Sequence, residues 1–218
     1  METPLTITLV KTEQKMAAAR TLALAFTHDP LMQFAIPDDT ARPGILAWLF
    51  GTVVHYCILY GTVYATPALD GVACWLPPGK TTLTPVGIAR AGMMAMGFKL
   101  GRSAAWRFLA NLRYTDHLHG QLIPVPHWYL WAIGVDPACQ GQGIGKKLVA
   151  HGLENPDKEA MPCYLETHNP KNVAFYRKFG FKVASDGVIP KRDLRVWAMV
   201  RQPSPSATCR RGTETPLQ

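Results

Sequence analysis

Residues 131–149, WAIGVDPACQGQGIGKKLV, decide the fold. The apolar start belongs to a run, Trp128–Val135, that predicts a buried central strand. Alternate glycines at positions 141, 143 and 145 then allow a tight turn into a helix over Ile144–Leu153. The same loop leads into the N-terminus of that helix, where the unpaired N–H groups and the positive end of the helix dipole lie. The order of strand, glycine loop and helix predicts a pyrophosphate site; the alternative is a tight turn that binds no ligand.

Two better-known phosphate motifs fit this loop less well. Its spacing is G-x-G-x-G, whereas dinucleotide-binding turns have G-x-G-x-x-G. Those turns also need an acidic residue further along the sequence, and Glu166 lies close to the expected sequence distance. The nucleoside-triphosphate signature needs Ser or Thr after its lysine, but Lys147 follows Lys146. Dinucleotide and nucleoside-triphosphate binding are therefore disfavoured.

The rest of the chain continues an α/β pattern. We expect one domain, residues 1–201, and a disordered polar tail, residues 202–218. We also expect Thr12 to cap the first helix and Asp29-Pro30 to end it. Before the central strand, the pattern predicts a strand at Thr6–Val10 and two helices, at Thr12–Phe26 and Ala41–Leu59. It then predicts a strand pair, Gly61–Thr66 with Val72–Leu76, and a helical insertion over residues 80–126. After the glycine loop, the pattern predicts a strand at Cys163–Thr167 and a helix at Asn169–Phe179 that is stopped by Gly180. It then predicts a strand pair, Phe181–Ile189 with Leu194–Val200.

The composition excludes several classes of protein. Of the 218 residues, 48% are hydrophobic and 17% are charged, so a disordered chain, a collagen repeat and a coiled coil do not fit. The net charge of +8 favours an anionic partner, but the basic residues are spread out, so we expect no nucleic-acid partner. The stretch Gly87–Leu112 combines apolar and basic residues, as helices that lie on a membrane surface do. The alternative is that its apolar side packs on its own domain, as it does in most such helices. We expect a cytoplasmic protein without a membrane partner, because no signal peptide or spanning segment is found and the five cysteines lack zinc spacing.

Two strings carry a resemblance to a known superfamily. They are V-D-P-x-x-Q-G-Q-G-I-G-K-K-L at residues 135–148 and L-E-T-H-N-P-K-N-V-A-F-Y-R-K-F-G-F at residues 165–181. They resemble the Q-x-x-G-x-G motif and the N-x-x-x-x-x-x-Y-x-x-x-G-F helix of the GCN5-related N-acetyltransferase (GNAT) superfamily. The strings P-H-W-Y-L-W-A-I-G-V-D-P, L-E-T and G-V-A-C-W-L-P-P look like its puromycin N-acetyltransferase-like subgroup, which also has a helical insertion before the central strand. The resemblance implies an α/β (α+β) GNAT fold with a mixed, largely antiparallel sheet of six or seven strands flanked by helices.

The resemblance also implies which residues bind acetyl-CoA, the co-substrate of the superfamily. The central strand would offer backbone groups to the pantetheine arm, and the glycine loop would hold the pyrophosphate. Asn169 occupies the family's asparagine position, and Asn172 the later position on which puromycin-like members rely; helix capping and solvation are the alternatives for these two. The strand and loop residues are Ile133, Gly134, Val135, Gln140, Gly141, Gln142, Gly143, Ile144, Gly145 and Lys146.

The same resemblance gives Tyr176 the role of general acid. A phenol with a pKa near ~10 can donate a proton to the departing thiol; the alternative is a core aromatic residue. Many superfamily members carry a glutamate base on the strand before the loop, but this strand has no acidic residue. Glu166 on the next strand is the best remaining base, acting directly or through water, unless it is a buried structural carboxylate. His168 is a weaker candidate.

Two further features bear on function. His117, His119 and His127 have no recognised zinc spacing, so we expect no metal. Residues 80–126 are expected to form a lid over the acceptor site, where methionines and tryptophan would contact an apolar amine. The side chains we expect there are Met93, Met94, Met96 and Trp106.

Together these features predict an acetyl-CoA-dependent N-acetyltransferase, as a monomer or homodimer. It would move an acetyl group to a primary amine of a small molecule by direct transfer in a ternary complex. No cysteine lies where a covalent intermediate would need one, since Cys139 in the loop lacks a neighbouring base. The alternatives are a non-catalytic acyl-CoA sensor on the same fold and a basic nucleic-acid-binding protein.

Overall fold

One seven-stranded sheet organises the computed structural model, which describes residues 6–189 and 193–203. The strand order is β1-β2-β3-β4-β5-β7-β6, and only β4 and β5 are parallel neighbours. This confirms the predicted mixed, largely antiparallel sheet. The strands are β1 (Thr8–Leu9), β2 (Thr62–Ala65), β3 (Gly71–Leu76), β4 (Trp128–Val135), β5 (Cys163–Thr167), β6 (Lys182–Ile189) and β7 (Leu194–Arg201).

Eight α-helices cover the two faces of the sheet in the described ranges. One core cluster joins the sheet to α1–α5, and the other joins it to α6 and α8. The insertion before β4 is helical, as predicted, and consists of α4, a 3₁₀ turn and α5. The helices are α1 (Lys15–Phe26), α2 (Pro30–Ala35), α3 (Arg42–Tyr60), α4 (Pro85–Ala91), α5 (Met96–Leu122), α6 (Ile144–Gly152), α7 (Glu154–Lys158) and α8 (Pro170–Arg177).

The central strand β4 parts from its neighbour β5 after the first two of its eight residues. The two strands pair only at Trp128 with Cys163 and at Tyr129 with Tyr164. Beyond this point β5 continues alongside β7, and no described strand pairs with that edge of β4. The separation leaves the backbone of the second half of β4 open on one side.

A β-bulge at Trp131 accompanies this opening. Leu130 pairs with Trp75 and Ala132 pairs with Cys74, so Trp131 is an extra residue on β4. Bulges bend a strand and redirect its side chains, and they are common beside functional sites. A simple two-residue alternation does not predict this bulge, because the whole run of β4 is apolar.

Three local predictions need correction. Thr12 is not a helix cap, because residues Thr12–Gln14 form a 3₁₀ turn that leads into α1. Asp29-Pro30 ends α1 but also begins α2, since the Asp29 carboxylate accepts the N–H groups of Leu31 and Met32 at 3.0 and 3.4 Å. The short helix α7 was not predicted. The predicted disordered tail lies outside the described residues from position 204 onward.

Helix α3 is long and apolar enough to cross a membrane by length and composition. Half of its most apolar window is buried inside the domain, where the helix packs on α1 and β3. A core helix has the same properties, so its burial here accounts for its composition.

Candidate active site

The glycine loop between β4 and α6 is shaped by backbone conformations that favour glycine. Gly141 and Gly143 have φ values of +82° and +80°, in the left-handed region that other residues rarely adopt. The loop enters through a 3₁₀ turn capped by Asp136, whose carboxylate accepts the N–H of Ala138 at 2.9 Å. Gly143 then precedes the first residue of α6, so the second left-handed position lies at the helix N-terminus.

This loop presents a row of free backbone donors. Among the described residues, none of the seven N–H groups from Gln140 to Lys146 donates a hydrogen bond to another group of the chain. Unsatisfied N–H groups at a helix N-terminus form an anion site, and the helix dipole adds to it. The side chains of Lys146 and Lys147 are exposed beside these groups. The geometry therefore fits a pyrophosphate, as the sequence predicts.

The open edge of β4 continues from this loop. The N–H of Asp136 bonds to Asp70 O at 2.7 Å, so alternation directs the backbone groups of Gly134 toward β3 and those of Ile133 and Val135 toward the open edge. The side chain of Gln140 already donates to Val135 O at 3.1 Å. Of the three predicted strand residues, Ile133 and Val135 have the suitable orientation.

Gly134 instead has a packing role. A Cβ at this position would lie 2.7 Å from Ala25 Cβ and 3.1 Å from Leu22 Cδ2. Helix α1 therefore crosses β4 at a distance that only glycine permits.

A cavity of about 160 Å³ lies beside the same edge of β4. Its wall combines the turn before α2 with parts of α1, α2, α3, α5, β4, β5 and α8. Most of its lining is apolar or aromatic, and it contains no lysine or arginine. The polar and ionisable side chains of the lining are Asp29, Thr52, Asn111, Tyr129, Glu166, Thr167, His168, Asn172 and Tyr176.

Glu166 is held by two phenols. Tyr129 donates to one carboxylate oxygen at 2.9 Å, and Tyr164 donates to the other at 3.0 Å. Burial raises the pKa of Glu166 to about 7, although the two hydrogen bonds act in the opposite direction. A carboxyl group with this pKa can both accept and release a proton near neutral pH.

Tyr176 on α8 is buried and lines the same cavity. Its hydroxyl makes no hydrogen bond to any described residue. Burial raises its pKa well above the ordinary value for tyrosine, and the nearby Asp29 acts in the same direction. The phenol therefore keeps its proton over the whole physiological pH range, and no described residue is in position to receive it.

Comparison with known proteins agrees with this arrangement. Residues 99–181 match the model of the acetyltransferase (GNAT) family. An uncharacterised N-acetyltransferase of Schizosaccharomyces pombe is 27% identical over 89% of this chain and 82% of its own length. The chain is therefore similar to GNAT-family acetyltransferases, and the family match itself lies within residues 99–181. A mycothiol acetyltransferase of Nocardioides sp. is 37% identical, but the match covers 58% of this chain and only 41% of that protein.

Solved structures support the fold. A Corynebacterium glutamicum structure described as histone acetyltransferase HPA2 and related acetyltransferase superposes with a TM-score of 0.65. The superposition covers 93% of this chain and 98% of the other, at 20% sequence identity. The superposed part is much longer than the family match, which spans residues 99–181. The finer resemblance to puromycin N-acetyltransferases stays a prediction.

The two asparagines of the site have different surroundings. The side-chain oxygen of Asn169 accepts the N–H of Lys171 at 3.0 Å and so caps α8, which is the structural alternative considered above. Asn172 lines the cavity, where its amide group donates to Thr167 Oγ1 at 3.1 Å. Asn172 is thus the asparagine that faces the site.

The histidines have structural partners. His168 lines the cavity, and its Nε2 lies 3.0 Å from Asn111 Oδ1. Burial lowers the pKa of His168 to about 4, which makes it a poor base. His119 and His127 are buried against each other, with their Nε2 atoms 2.6 Å apart, whereas His117 is exposed. In the described ranges, no group of three or more His, Cys, Asp or Glu side chains could hold a metal ion.

Several residues of the site were not predicted from sequence. Asp29 lines the cavity, and burial raises its pKa to about 6. An Asp-Pro pair is a helix-start signal, so the sequence could have indicated its local role but not its place in the cavity. Nothing local indicates that Asn111 from α5 and the Tyr129–Tyr164 pair meet Glu166 and His168.

Parts of the predicted lid line the cavity, but not all of the side chains that we expected there do so. Met93 and Met96 line the cavity together with Phe108 of α5. Met94 and Trp106, which we expected to contact an apolar amine, are instead 74% and 65% exposed. Because an α-helix has 3.6 residues per turn, Trp106 and Phe108 point in very different directions.

Proposed function

We propose that this protein transfers the acetyl group of acetyl-CoA to the primary amine of a small molecule with an apolar or aromatic body. The observation that carries the proposal is the shared open edge of β4. This edge has a row of free N–H donors at one end and, beside it, a cavity that contains a carboxyl group and a buried phenol.

The residues present fit acetyl-CoA, which GNAT enzymes in general use as co-substrate. The N–H groups of Gly141–Lys146 would bind its pyrophosphate, helped by Lys146 and Lys147. The open backbone groups of Ile133 and Val135 would pair with the amide groups of its pantetheine arm, and Asn172 offers a further polar contact. When bound, acetyl-CoA supplies the activated acyl group.

Two side chains would then handle protons. An amine substrate is mostly protonated at neutral pH and must lose a proton before it can attack a thioester. Glu166, with its pKa of about 7, would take that proton directly or through water. Tyr176 would donate its phenolic proton to the thiolate that leaves, and Glu166 and Tyr176 both border the cavity.

The lining of the cavity indicates the class of acceptor. Aromatic side chains such as Phe26, Phe50 and Trp131 favour an apolar body. Asp29 and Glu166 provide negative charge, and no lysine or arginine lines the wall, so an ammonium group is favoured over a carboxylate. A small arylalkylamine without a carboxylate fits both features.

An acceptor screen with detection of released thiol tests this function. We expect phenethylamine and puromycin to be acetylated with higher kcat/KM than spermidine, and phenylalanine to be poorer than phenethylamine because of its carboxylate. Mass spectrometry of the product should show N-acetylation. Tight acetyl-CoA binding without turnover of any amine would contradict the proposal and favour the sensor alternative.

A further inference from the structure

The outer surface of the lid has an unusual charge. Residues 80–115 contain six basic residues and no acidic residue, so this segment accounts for six of the chain's eight net positive charges. One of the six, Arg107, is used inside the fold, because its guanidinium donates to Ala35 O at 3.1 and 2.8 Å. The other five are exposed: Lys80, Arg90, Lys99, Arg102 and Arg113.

The same surface exposes large apolar side chains. Of the eleven large hydrophobic residues that are exposed in the described ranges, five lie on this segment, and they include both aromatic ones. Phe98 is 89% exposed, which is unusual for a phenylalanine in a folded domain. The five residues are Val86, Met94, Phe98, Trp106 and Leu109.

Helical geometry groups these residues. Gly101 has non-helical φ and ψ of 74° and 158°, which interrupts α5. After this break, Arg102, Trp106, Leu109 and Arg113 follow each other at intervals of four, three and four residues, so they share one face of the helix. The opposite face holds the buried or cavity-lining residues Ala104, Ala105, Phe108, Asn111 and Leu112. The lid is therefore a helix with one face on the cavity and a basic, aromatic face on the outside.

We propose that the face of α5 formed by Arg102, Trp106, Leu109 and Arg113, together with the exposed residues Val86, Arg90, Met94, Phe98 and Lys99 of the same segment, binds the surface of an anionic phospholipid bilayer. Basic side chains would meet the phosphate groups, while Phe98, Trp106 and their apolar neighbours enter the boundary between headgroups and acyl chains. This proposal replaces our expectation of no membrane partner and concerns surface binding, not a spanning segment.

Other occupants fit this face less well. A second copy of the chain would bring together two surfaces with five exposed basic residues each and one exposed acidic residue, Asp116, which disfavours an interface between identical faces. A nucleic acid would neutralise the charges but would leave Met94, Phe98 and Leu109 without an apolar partner. An anionic bilayer supplies both the negative charge and the apolar medium.

Vesicle co-sedimentation tests the proposal without any assay of activity. The purified chain should bind vesicles of phosphatidylcholine and phosphatidylglycerol in equal parts much better than vesicles of phosphatidylcholine alone, and added salt should weaken the binding. A double variant, Phe98→Ser with Trp106→Ser, should bind the mixed vesicles at least about tenfold more weakly. Arg102→Gln with Arg113→Gln should reduce the preference for anionic lipid.

Matched variants elsewhere provide the control. Leu24→Ser on α1 and Lys158→Gln on α7 change exposed residues of the same kinds outside the lid, so they should bind vesicles like the parent chain. The emission of Trp106, obtained by subtracting the fluorescence spectrum of Trp106→Phe from that of the parent, should move to shorter wavelength when mixed vesicles are added. Thermal melting followed by circular dichroism should show that all variants are folded.

Three results would overturn the proposal. One is the absence of co-sedimentation with mixed vesicles, and another is undiminished binding by the folded Phe98→Ser, Trp106→Ser variant. The third is a dimer in light scattering that this double variant converts to a monomer, since the face would then be a protein interface. Acetyl transfer by the same double variant should be unchanged without vesicles, so failure here leaves the proposed function standing.

Discussion

The two ends of the open β4 edge are built in different ways. The glycine loop uses backbone N–H groups from one continuous segment, Gln140–Lys146, and its shape follows from two glycines with positive φ. The cavity uses side chains from seven helices and strands that are far apart in sequence, and its central carboxylate depends on Tyr129 and Tyr164. A site made of backbone is local and tolerates change of most side chains, whereas a site made of side chains depends on tertiary packing.

The largest expected effect is loss of acetyl-CoA binding in Gly143→Val. A β-branched residue is strained at a φ of +80° and its side chain would enter the space in front of the free N–H groups. Losing two or three charge-assisted hydrogen bonds should weaken binding by about 10³-fold, measured by calorimetry.

Gly145→Ala is the matched control in the same loop. A Cβ there would meet Val135 Cγ2 at 3.6 Å and Phe175 Cζ at 3.7 Å, which are ordinary contacts, and it would point into the core. This variant should bind acetyl-CoA nearly as well as the parent chain. Equal affinity of a folded Gly143→Val variant would contradict the loop as the pyrophosphate site.

Glu166→Gln should lower kcat by about 10²–10³-fold, because the amine loses its base. In the parent chain, kcat/KM should rise with pH through about 7 as Glu166 ionises, and the variant should lack this rise. Acetyl-CoA affinity should stay the same, since the loop is unchanged. A variant that keeps both the rate and the pH dependence would make Glu166 a structural carboxylate.

The same variant separates function from stability. The pKa of Glu166 is raised from 4.5 to about 7 in the folded chain, so the folded state holds this proton to higher pH than the unfolded state does. Stability from this group is therefore present below about pH 4.5 and is lost as pH rises through about 7. We expect the Tm of Glu166→Gln relative to the parent to increase from pH 5 to pH 8, and a decrease would contradict the raised pKa.

Tyr176→Phe should lower kcat by about 10²-fold with little change in acetyl-CoA affinity, because only the phenolic proton is removed. Phenylalanine keeps the ring contacts with Phe175 and Phe181, so melting temperature should hardly change. Phe181→Leu is a control that alters the same packing without touching a proton donor. Turnover equal to the parent would mean that Tyr176 serves packing alone.

The different construction of the two ends also explains what the sequence predicts. The succession of strands, the glycine loop and α8 are local patterns, and the structure confirms the mixed sheet that they predict. The bulge at Trp131 and the meeting of Asp29, Asn111 and Glu166 depend on how separate segments pack. Alternation and helical periodicity carry no such information, because they describe one segment at a time.

Tyr164→Phe tests the side-chain end more gently. Tyr164 is fully buried, does not line the cavity and donates to the Glu166 carboxylate. Removing that hydrogen bond favours the protonated acid, so the pKa of Glu166 should rise and the rise of kcat/KM should move to higher pH. At high pH the rate should stay within severalfold of the parent. Tyr64→Phe, which removes a phenol paired with Asn155 at 3.3 Å, should leave the pH profile unchanged; a shared shift would point to a general change in the fold.

The smallest expected effect concerns the lid. Met93 is buried and lines the cavity, whereas its neighbour Met94 is exposed on the outer face. Met93→Ala should therefore raise the acceptor KM by several-fold, because an apolar contact with the amine is lost, while the acetyl-CoA KM stays constant. Met94→Ala is matched in composition and should change neither constant. If Met93→Ala lowers the Tm but leaves the ratio of the two KM values unchanged, the lid only covers the sheet and the acceptor binds elsewhere. If both variants raise the acceptor KM equally, the two faces of the lid are not separate, and the assignment of its inner face to the acceptor is wrong.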